Sequence, residues 1–485
     1  MHENLKHDTL KGLFWSSIER FSVQGVSFVV MLVIARILSP ADYGLVGMLS
    51  IFMAIAQCLI DSGFSNALIR KQGRTDTDYN TVFYFNLVVS LGLYGVLYVI
   101  APFVANFYKE PILTKLMRVL CITIVINSIA VVQRADYTAR LDFKAQARAS
   151  LIAAVVSGAS GIIMAIKGFG VWTIVWQQII SAVVSTLLLW IFASWHPKLD
   201  YSWKSFHELF GYGSKLMASA LLDTTYNNIY PIVIGKIFSA QTLGFYTRAQ
   251  HFAQLPSSNI TGIIQRVTFP VLSKLQDDDE RLRRNYRKLL KMSAFIVFPM
   301  MCLLAAVSKP LIVILIGEEW AFCSVLLIPI CFYMMWYPIH AINLNLLQVK
   351  GRSDLFLKLE IIKKLLGVSV LCISIPFGII AMCYASIGTS LLCLFINTYY
   401  TGKLINVGFV RQMQDLRGIL ILSLSLFFAV YYIGETFFFN NWVWLLGGII
   451  VGAFFYLGLA YLLRFEEFGL MIEIFKRDNS QWEDL

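Results

Sequence analysis

Residues 34–46 read IARILSPADYGLV, and residues 234–246 read IGKIFSAQTLGFY. The two segments align without a gap: Ile34 with Ile234, Arg36 with Lys236, Ser39 with Ser239 and Gly44 with Gly244. Each joins the end of one apolar stretch to the start of the next through a tight turn. Two further echoes follow in the same order. Gly168-Phe169-Gly170-Val171 corresponds to Pro376-Phe377-Gly378-Ile379, and Arg140-Leu141-Asp142-Phe143, more weakly, to Arg352-Ser353-Asp354-Leu355. Three matches in order at similar spacing mark an internal duplication, which decides the architecture.

Outward from these turns the chain is a succession of apolar runs. Its 485 residues are 58% hydrophobic and 14% charged, whereas a soluble domain carries roughly 25% charged residues. A spanning helix needs about twenty mostly apolar residues, and on that rule about fourteen are expected. They fall at 13–38, 43–69, 79–105, 112–134, 147–167, 169–194, 210–236, 241–270, 288–308, 322–347, 359–376, 378–400, 417–434 and 441–463. The connections are short. The longest, 271–290, reads as a charged hairpin, and none could house a folded domain outside the bilayer. The first apolar stretch is long, carries Glu19 and Arg20, and lacks a small-residue cleavage site, so it reads as a retained helix.

The chain is therefore expected to be an all-α polytopic membrane protein. Six helices fall in an N-lobe (1–200), six in a C-lobe (201–405), and two more, with a tail, in 406–485. An even number of helices per half gives both halves the same orientation. They are then parallel repeats about an axis along the membrane normal, an arrangement that can rock around a central site.

The net charge of +11 could suggest nucleic acid, but its distribution does not. Basic residues alternate with the helices, as the positive-inside rule requires. With the N-terminus in the cytoplasm, the outward connections hold only Lys109, Lys115, Arg118, Lys167 and Lys309. Nearly all other Lys and Arg fall in inward connections or the C-terminal tail, so both termini are placed in the cytoplasm and nucleic acid is not an expected partner.

Six basic residues remain within spans: Arg20, Arg36, Lys215, Lys236, Arg248 and Arg266. Ionisable groups at membrane depth are costly and default to functional candidates, although Arg36, Lys215, Lys236 and Arg266 lie where a long side chain can also snorkel to the interface. Asp223 sits near the middle of its span and is followed by Thr224, Thr225, Tyr226, Asn227, Asn228 and Pro231. Pro231 would free a backbone carbonyl and permit a bend. Asp61 lies in Asp61-Ser62-Gly63-Phe64, with helix packing as an equal alternative. Arg248, His251, Gln254, Asn259, Gln265 and Arg266 make the eighth helix too polar to face lipid. His340, Asn343, Asn345 and Gln348 form a weaker polar stripe on the tenth.

The eight cysteines lie in apolar stretches without metal-ligand spacing, and packing accounts for them. The sequence contains no Walker-A segment, HExxH, GxSxG or dinucleotide fingerprint. A polytopic glycan polymerase or ligase would need a sizeable outward loop, and these are short and nearly neutral.

The first helices resemble the polysaccharide-transport branch of the MATE/MOP flippase superfamily, the Wzx/WzxC-like lipopolysaccharide biosynthesis flippases. The resemblance is carried by Trp15-Ser16-Ser17, Ala35-Arg36-Ile37-Leu38-Ser39-Pro40-Ala41-Asp42-Tyr43-Gly44, Asp61-Ser62-Gly63-Phe64 and Ala67-Leu68-Ile69-Arg70. It implies a non-enzymatic flippase of the bacterial inner membrane. Such a flippase moves an undecaprenyl-diphosphate-linked oligosaccharide, of O-antigen, capsule or exopolysaccharide type, to the periplasmic leaflet, and two six-helix lobes enclose a cationic cavity. Its implied partners are the bilayer, the lipid-linked glycan, and polysaccharide polymerase and export machinery. On this reading Arg20, Arg36, Lys236, Arg248 and Arg266 are the expected diphosphate ligands, since guanidinium forks suit phosphate. Asp223, Asp61 and Asn227 are the ion-coupling candidates. No cofactor or metal is expected, and the drive is an H+ or Na+ gradient or the chemistry of later steps. The alternatives are a cation-coupled drug or metabolite antiporter of the same superfamily, disfavoured by the net basic membrane charge, and a polytopic glycan polymerase or ligase.

Overall fold

The computed structural model describes residues 21–473, except positions 62, 141, 194, 438–439 and 472. Regular structure among the described residues is helical, with no strand. Among the described residues, ten helical runs are long and apolar enough to cross a membrane. The difference from about fourteen has identifiable sources. The span expected at 13–38 is described only from Phe21–Ala35. Those at 210–236 and 241–270 are helical but too polar to qualify. Those at 359–376 and 378–400 belong to one apolar run, Asp354–Ile405.

The helices form two compact units, residues 1–244 and 245–485. The expected lobe boundary at 200/201 lies within the first. That unit holds α1 (Phe21–Ala35), α2 (Pro40–Asp61), α3 (Phe64–Arg70), α4 (Asp76–Tyr108), α5 (Ile112–Leu120), α6 (Ile122–Ile129), α7 (Val131–Ala139), α8 (Phe143–Ile166), α9 (Trp172–Ile191), α10 (Trp203–Asn227) and α11 (Ile229–Ile237). Helix α10 packs on α2, α3 and α4, and α11 on α2. The helix α12 (Ala240–Ser273) carries the boundary. The second unit continues with α13 (Asp279–Ala306), α14 (Ser308–Ile316), α15 (Ala321–Met334), α16 (Tyr337–Val349), α17 (Ser353–Ser374), α18 (Gly378–Ile405), α19 (Phe409–Phe437) and α20 (Asn441–Leu462). Within it α19 and α20 pack on α13, and α20 also on α14.

One expected connection is corrected, and two expected spans are present but interrupted. The hairpin at 271–290 is mostly helix, because Asp278 caps α13 by accepting from the Arg281 amide at 3.0 Å. Leu282, Tyr286 and Leu290, spaced by one turn, are then buried. The span at 112–134 is three short helices. Cys121 and Ala130 interrupt it, and the Ile124 and Ala130 amides switch to three-residue bonds on Cys121 and Asn127. The span at 322–347 breaks into α15 and α16 at Met335-Trp336, just before Pro338, which cannot donate to a preceding turn.

Large apolar side chains remain exposed along the long helices, among them Phe103, Ile191, Ile373 and Phe454. In a multi-pass membrane protein such side chains face lipid.

Candidate functional site

The repeated turns come together in the first unit. Ser39 caps α2: its hydroxyl bonds Asp42 Oδ2 at 2.8 Å, and the Ser39 amide donates to the same oxygen at 3.0 Å. Pro40 occupies the first helical position, where no amide is missed. Ser239 caps α12 likewise, accepting from the Thr242 amide at 3.1 Å. The two helix starts then cross. A Cβ on Gly44 would stand 1.6 Å from the carbonyl oxygen of Ala240, and one on Gly244 1.9 Å from that of Pro40. Each glycine thus packs on the residue aligned with the other's own neighbour, as a two-fold relation between the repeats demands. Lys236, in the last turn of α11, donates to the Phe107 carbonyl and lies 4.3 Å from the Phe107 ring centre.

The basic connections gather at one end of each unit. In the first, Lys71 bridges Asp78 at 2.9 Å and Glu208 at 3.0 Å, and Lys198 reaches Asp76 at 3.2 Å. Burial works against the Lys71 charge, but the hydrogen bonds it donates to both carboxylates, with their charge, outweigh this and raise its pKa above the ordinary lysine value. In the second, Lys350 pairs with Asp279 at 2.7 Å, and Arg287 grips Asp415 through two bonds at 2.7 and 2.5 Å. Lys291 meets Glu466 and Glu467 at 3.4 and 3.6 Å. Connections distant in sequence and rich in cations therefore share a face within each unit.

Arg20 lies outside the described residues. Of the remaining candidate ligands, Arg36, Lys236 and Arg266 are exposed, and Arg248 is half-buried, close enough to His251 and Cys323 to act on them electrostatically. Asp223 and Asn227 are exposed on α10. That helix ends at Asn227, and α11 resumes after Asn228. Pro231 has no amide to donate to the Asn227 carbonyl, which opens the break. By contrast α12 runs unbroken through Pro256 and Pro270.

Asp61 closes α2 in a half-buried polar chain. Gln57 Nε2 donates to Asp61 Oδ2 at 2.5 Å, Asn127 Nδ2 donates to Gln57 Oε1 at 3.3 Å, and Arg134 acts on the carboxylate electrostatically. The amides Gln57 and Asn127 were not expected from the sequence, since a search for charge passes over them. Beyond Asp61 the chain turns at Gly63, against which Gly213 of α10 packs so closely that a Cβ there would lie 2.4 Å from the Gly63 oxygen.

The polar stripe of α16 makes helix-to-helix bonds. His340 Nε2 meets Ser390 Oγ at 3.0 Å, and its Nδ1 meets Asn397 at 3.1 Å. Asn343 exchanges bonds with Gln412 at 3.0 and 3.1 Å, and Asn345 donates to Thr268 at 3.3 Å. Gln412 also lies within bonding distance of Thr401, Tyr286 and the Val407 carbonyl. Gln412 was missed because it stands near a helix start, where polar residues are ordinary.

Residues 33–325, which take in both repeated turns, match the polysaccharide biosynthesis protein family. The chain belongs to that family. This chain is 25% identical to the lipopolysaccharide biosynthesis protein WzxC of Escherichia coli (strain K12), over 76% of each chain. It is also 25% identical to the teichuronic acid biosynthesis protein TuaB of Bacillus subtilis (strain 168), over 71% of this chain and 72% of that one. Its fold is similar to that of a solved structure of the lipid II flippase MurJ, inward closed conformation, with a TM-score of 0.74 and 17% identity over 93% of this chain and 98% of the other.

Proposed function

We propose that this chain is a flippase that moves an undecaprenyl-diphosphate-linked oligosaccharide from the cytoplasmic to the periplasmic leaflet of the bacterial inner membrane. The observation that carries the reading is the exposure of Asp223 on α10 and Arg266 on α12. Both stand on helices of membrane-crossing length in a chain otherwise sheathed in apolar side chains. Charges in such positions face protein or water, not lipid. A wet, cation-bearing path suits a diphosphate and its sugars, while the polyprenyl chain stays in the bilayer.

In this mechanism Arg20, Arg36, Arg248 and Arg266 receive the diphosphate by charge-assisted forks. Lys236, bonded to Phe107, would help to close the outward end. The crossing at Gly44 and Gly244 holds the repeated turns together within the first unit, and access alternates by rocking of the repeats. Asp223, Asn227 and Asp61 couple the cycle to H+ or Na+. The basic faces and both termini lie in the cytoplasm, where the lipid-linked substrate is assembled, and the delivered unit passes to polymerase and export machinery. No bond of the substrate is made or broken.

The test is deletion of the chain in its own host, followed by analysis of lipid-linked intermediates on both leaflets. One undecaprenyl-linked oligosaccharide should accumulate on the cytoplasmic side, and the plasmid-borne chain should clear it. Unchanged intermediates together with altered drug or cation resistance would move the assignment to an antiporter.

A further inference from the structure

At the basic end of the second unit a cavity of about 710 Å³ opens between the first turns of α13, the start of α19 and the segment after α20. Its wall carries six basic side chains against four acidic ones. Two of the cations are built into the frame. Arg287 is held by Asp415, whose side chain is only 7% exposed, and Lys291 by Glu466 and Glu467. These bridges tie α13 to α19 and to the segment after α20, so the wall is fixed in place. The other four, Arg283, Arg284, Lys288 and Arg411, have no carboxylate within 4.0 Å among the described residues.

These four cations outnumber the two remaining wall carboxylates, Glu280 and Glu473, and an anion placed between them offsets the excess positive charge. Three of the four are arginines, whose planar forks match phosphate oxygens. The volume falls in the range of small-ligand sites, roughly 300–1,000 Å³. The chain that leads into the cavity points to the source of the phosphate. Tyr461, Leu462 and Leu463, at the end of the membrane-crossing helix α20 and three residues before the lining residue Glu466, are all exposed. An exposed apolar helix end a few residues from a cationic hollow fits an amphiphile, whose acyl chains stay with the helix while its headgroup fills the hollow.

We propose that this cavity binds the phosphate headgroup of an anionic phospholipid of the cytoplasmic leaflet, a site separate from the transport path. The proposal rests on the orientation given under the proposed function. It differs from that reading in that the bound lipid is not carried.

The test uses the purified full chain in a zwitterionic detergent. Thermal unfolding and lipid-retaining native mass spectrometry are followed on titration with phosphatidylglycerol, cardiolipin, phosphatidylcholine or inorganic diphosphate. Phosphatidylglycerol and cardiolipin should raise the melting temperature and remain bound, and phosphatidylcholine should do neither. A variant with Arg283→Gln, Arg284→Gln, Lys288→Gln and Arg411→Gln should melt like the wild type without lipid and lose at least tenfold in apparent affinity for the anionic lipids. Equal retention by variant and wild type overturns the proposal. Protection by diphosphate with no response to anionic phospholipid overturns the lipid assignment. Because binding is read without transport, a variant that loses the lipid yet still clears the accumulated intermediate in cells upholds both readings. A wild type that binds the lipid but clears nothing in cells sinks the flippase reading alone.

Discussion

Gly44 in the first turn of α2 lies against the backbone carbonyl of Ala240, so close that a Cβ would stand 1.6 Å from its oxygen. Backbone cannot yield as a flexible side chain can, so the contact admits no residue larger than glycine without moving a helix. Gly44→Ala should destabilise the protein by about 1–3 kcal/mol, the usual cost of overpacking, and should impair transport because the turns no longer meet. Gly92→Ala in α4, with no atom within 4 Å of the new methyl, is the control. Because Gly244 makes the reciprocal contact, the double variant Gly44→Ala/Gly244→Ala should cost less than the sum of the two singles. Thermal unfolding in detergent reads all four. A Gly44→Ala protein that melts and transports like the wild type would show that the helices do not cross at this distance.

Arg287 and Asp415 form a bidentate ion pair in the second unit, with the carboxylate buried and a third of the arginine side chain exposed. Removing one partner of a buried pair leaves the other unsatisfied, and with Arg287 partly solvated the loss should sit at the low end, about 3 kcal/mol. Asp415→Ala and Asp415→Asn should both show it, while Arg287→Ala/Asp415→Ala should recover part of the loss. Urea unfolding provides the readout. Single variants within 0.5 kcal/mol of the wild type, the range of an exposed pair, would remove this bridge from the frame of the cavity.

The duplication was legible because its carriers do local work: Ser39 and Ser239 cap helices, and Gly44 and Gly244 make the crossing. The early start of α13 was hidden because a hydropathy scan registers the charges of 277–291 and overlooks the one-turn spacing of Leu282, Tyr286 and Leu290. The breaks at Cys121 and Ala130 carry no proline or glycine to announce them. At the candidate site, charge made Asp61, Asp223 and the arginines visible. Neutral amides such as Gln57, Asn127 and Gln412 declare themselves only through the partners that folding supplies. The same holds for Lys236, whose partner is the backbone of Phe107, a group every residue possesses.

Asp223 and Asp61 should separate under neutralisation. Asp223 is exposed in α10, so Asp223→Asn removes a charge with little change in packing. As a coupling residue its loss should abolish the response of transport to the ion gradient. Asp61 is tied to Gln57 and faces Arg134, so Asp61→Asn should also lower stability, by about 1–2 kcal/mol for a weakened charge-assisted bond. The measurement is transport in vesicles with imposed H+ or Na+ gradients, beside unfolding curves. Full transport with full ion dependence in Asp223→Asn would remove that residue from the coupling pathway.

Helix α20 meets its neighbours along a face of small residues: Gly448 and Gly452 are buried there with Tyr456 and Ala460. A Cβ on Gly452 would stand 2.8 Å from Leu303 Cδ1 and 3.1 Å from Leu426 Cδ1, on α13 and α19. Small residues spaced by four let helices approach in a bilayer, where packing rather than the hydrophobic effect holds them together. The obstructing atoms are tips of leucine side chains, so Gly452→Ala should be accommodated by rotamer shifts. Gly452→Leu must push the helix away and should cost about 1–3 kcal/mol, with lower yield of monodisperse protein. Gly458, on the same helix, has nothing within 4 Å, and Gly458→Leu should be neutral or nearly so. Size-exclusion profiles and melting curves of the three variants decide it. Equal behaviour of Gly452→Leu and Gly458→Leu would mean that α20 is not seated by this face.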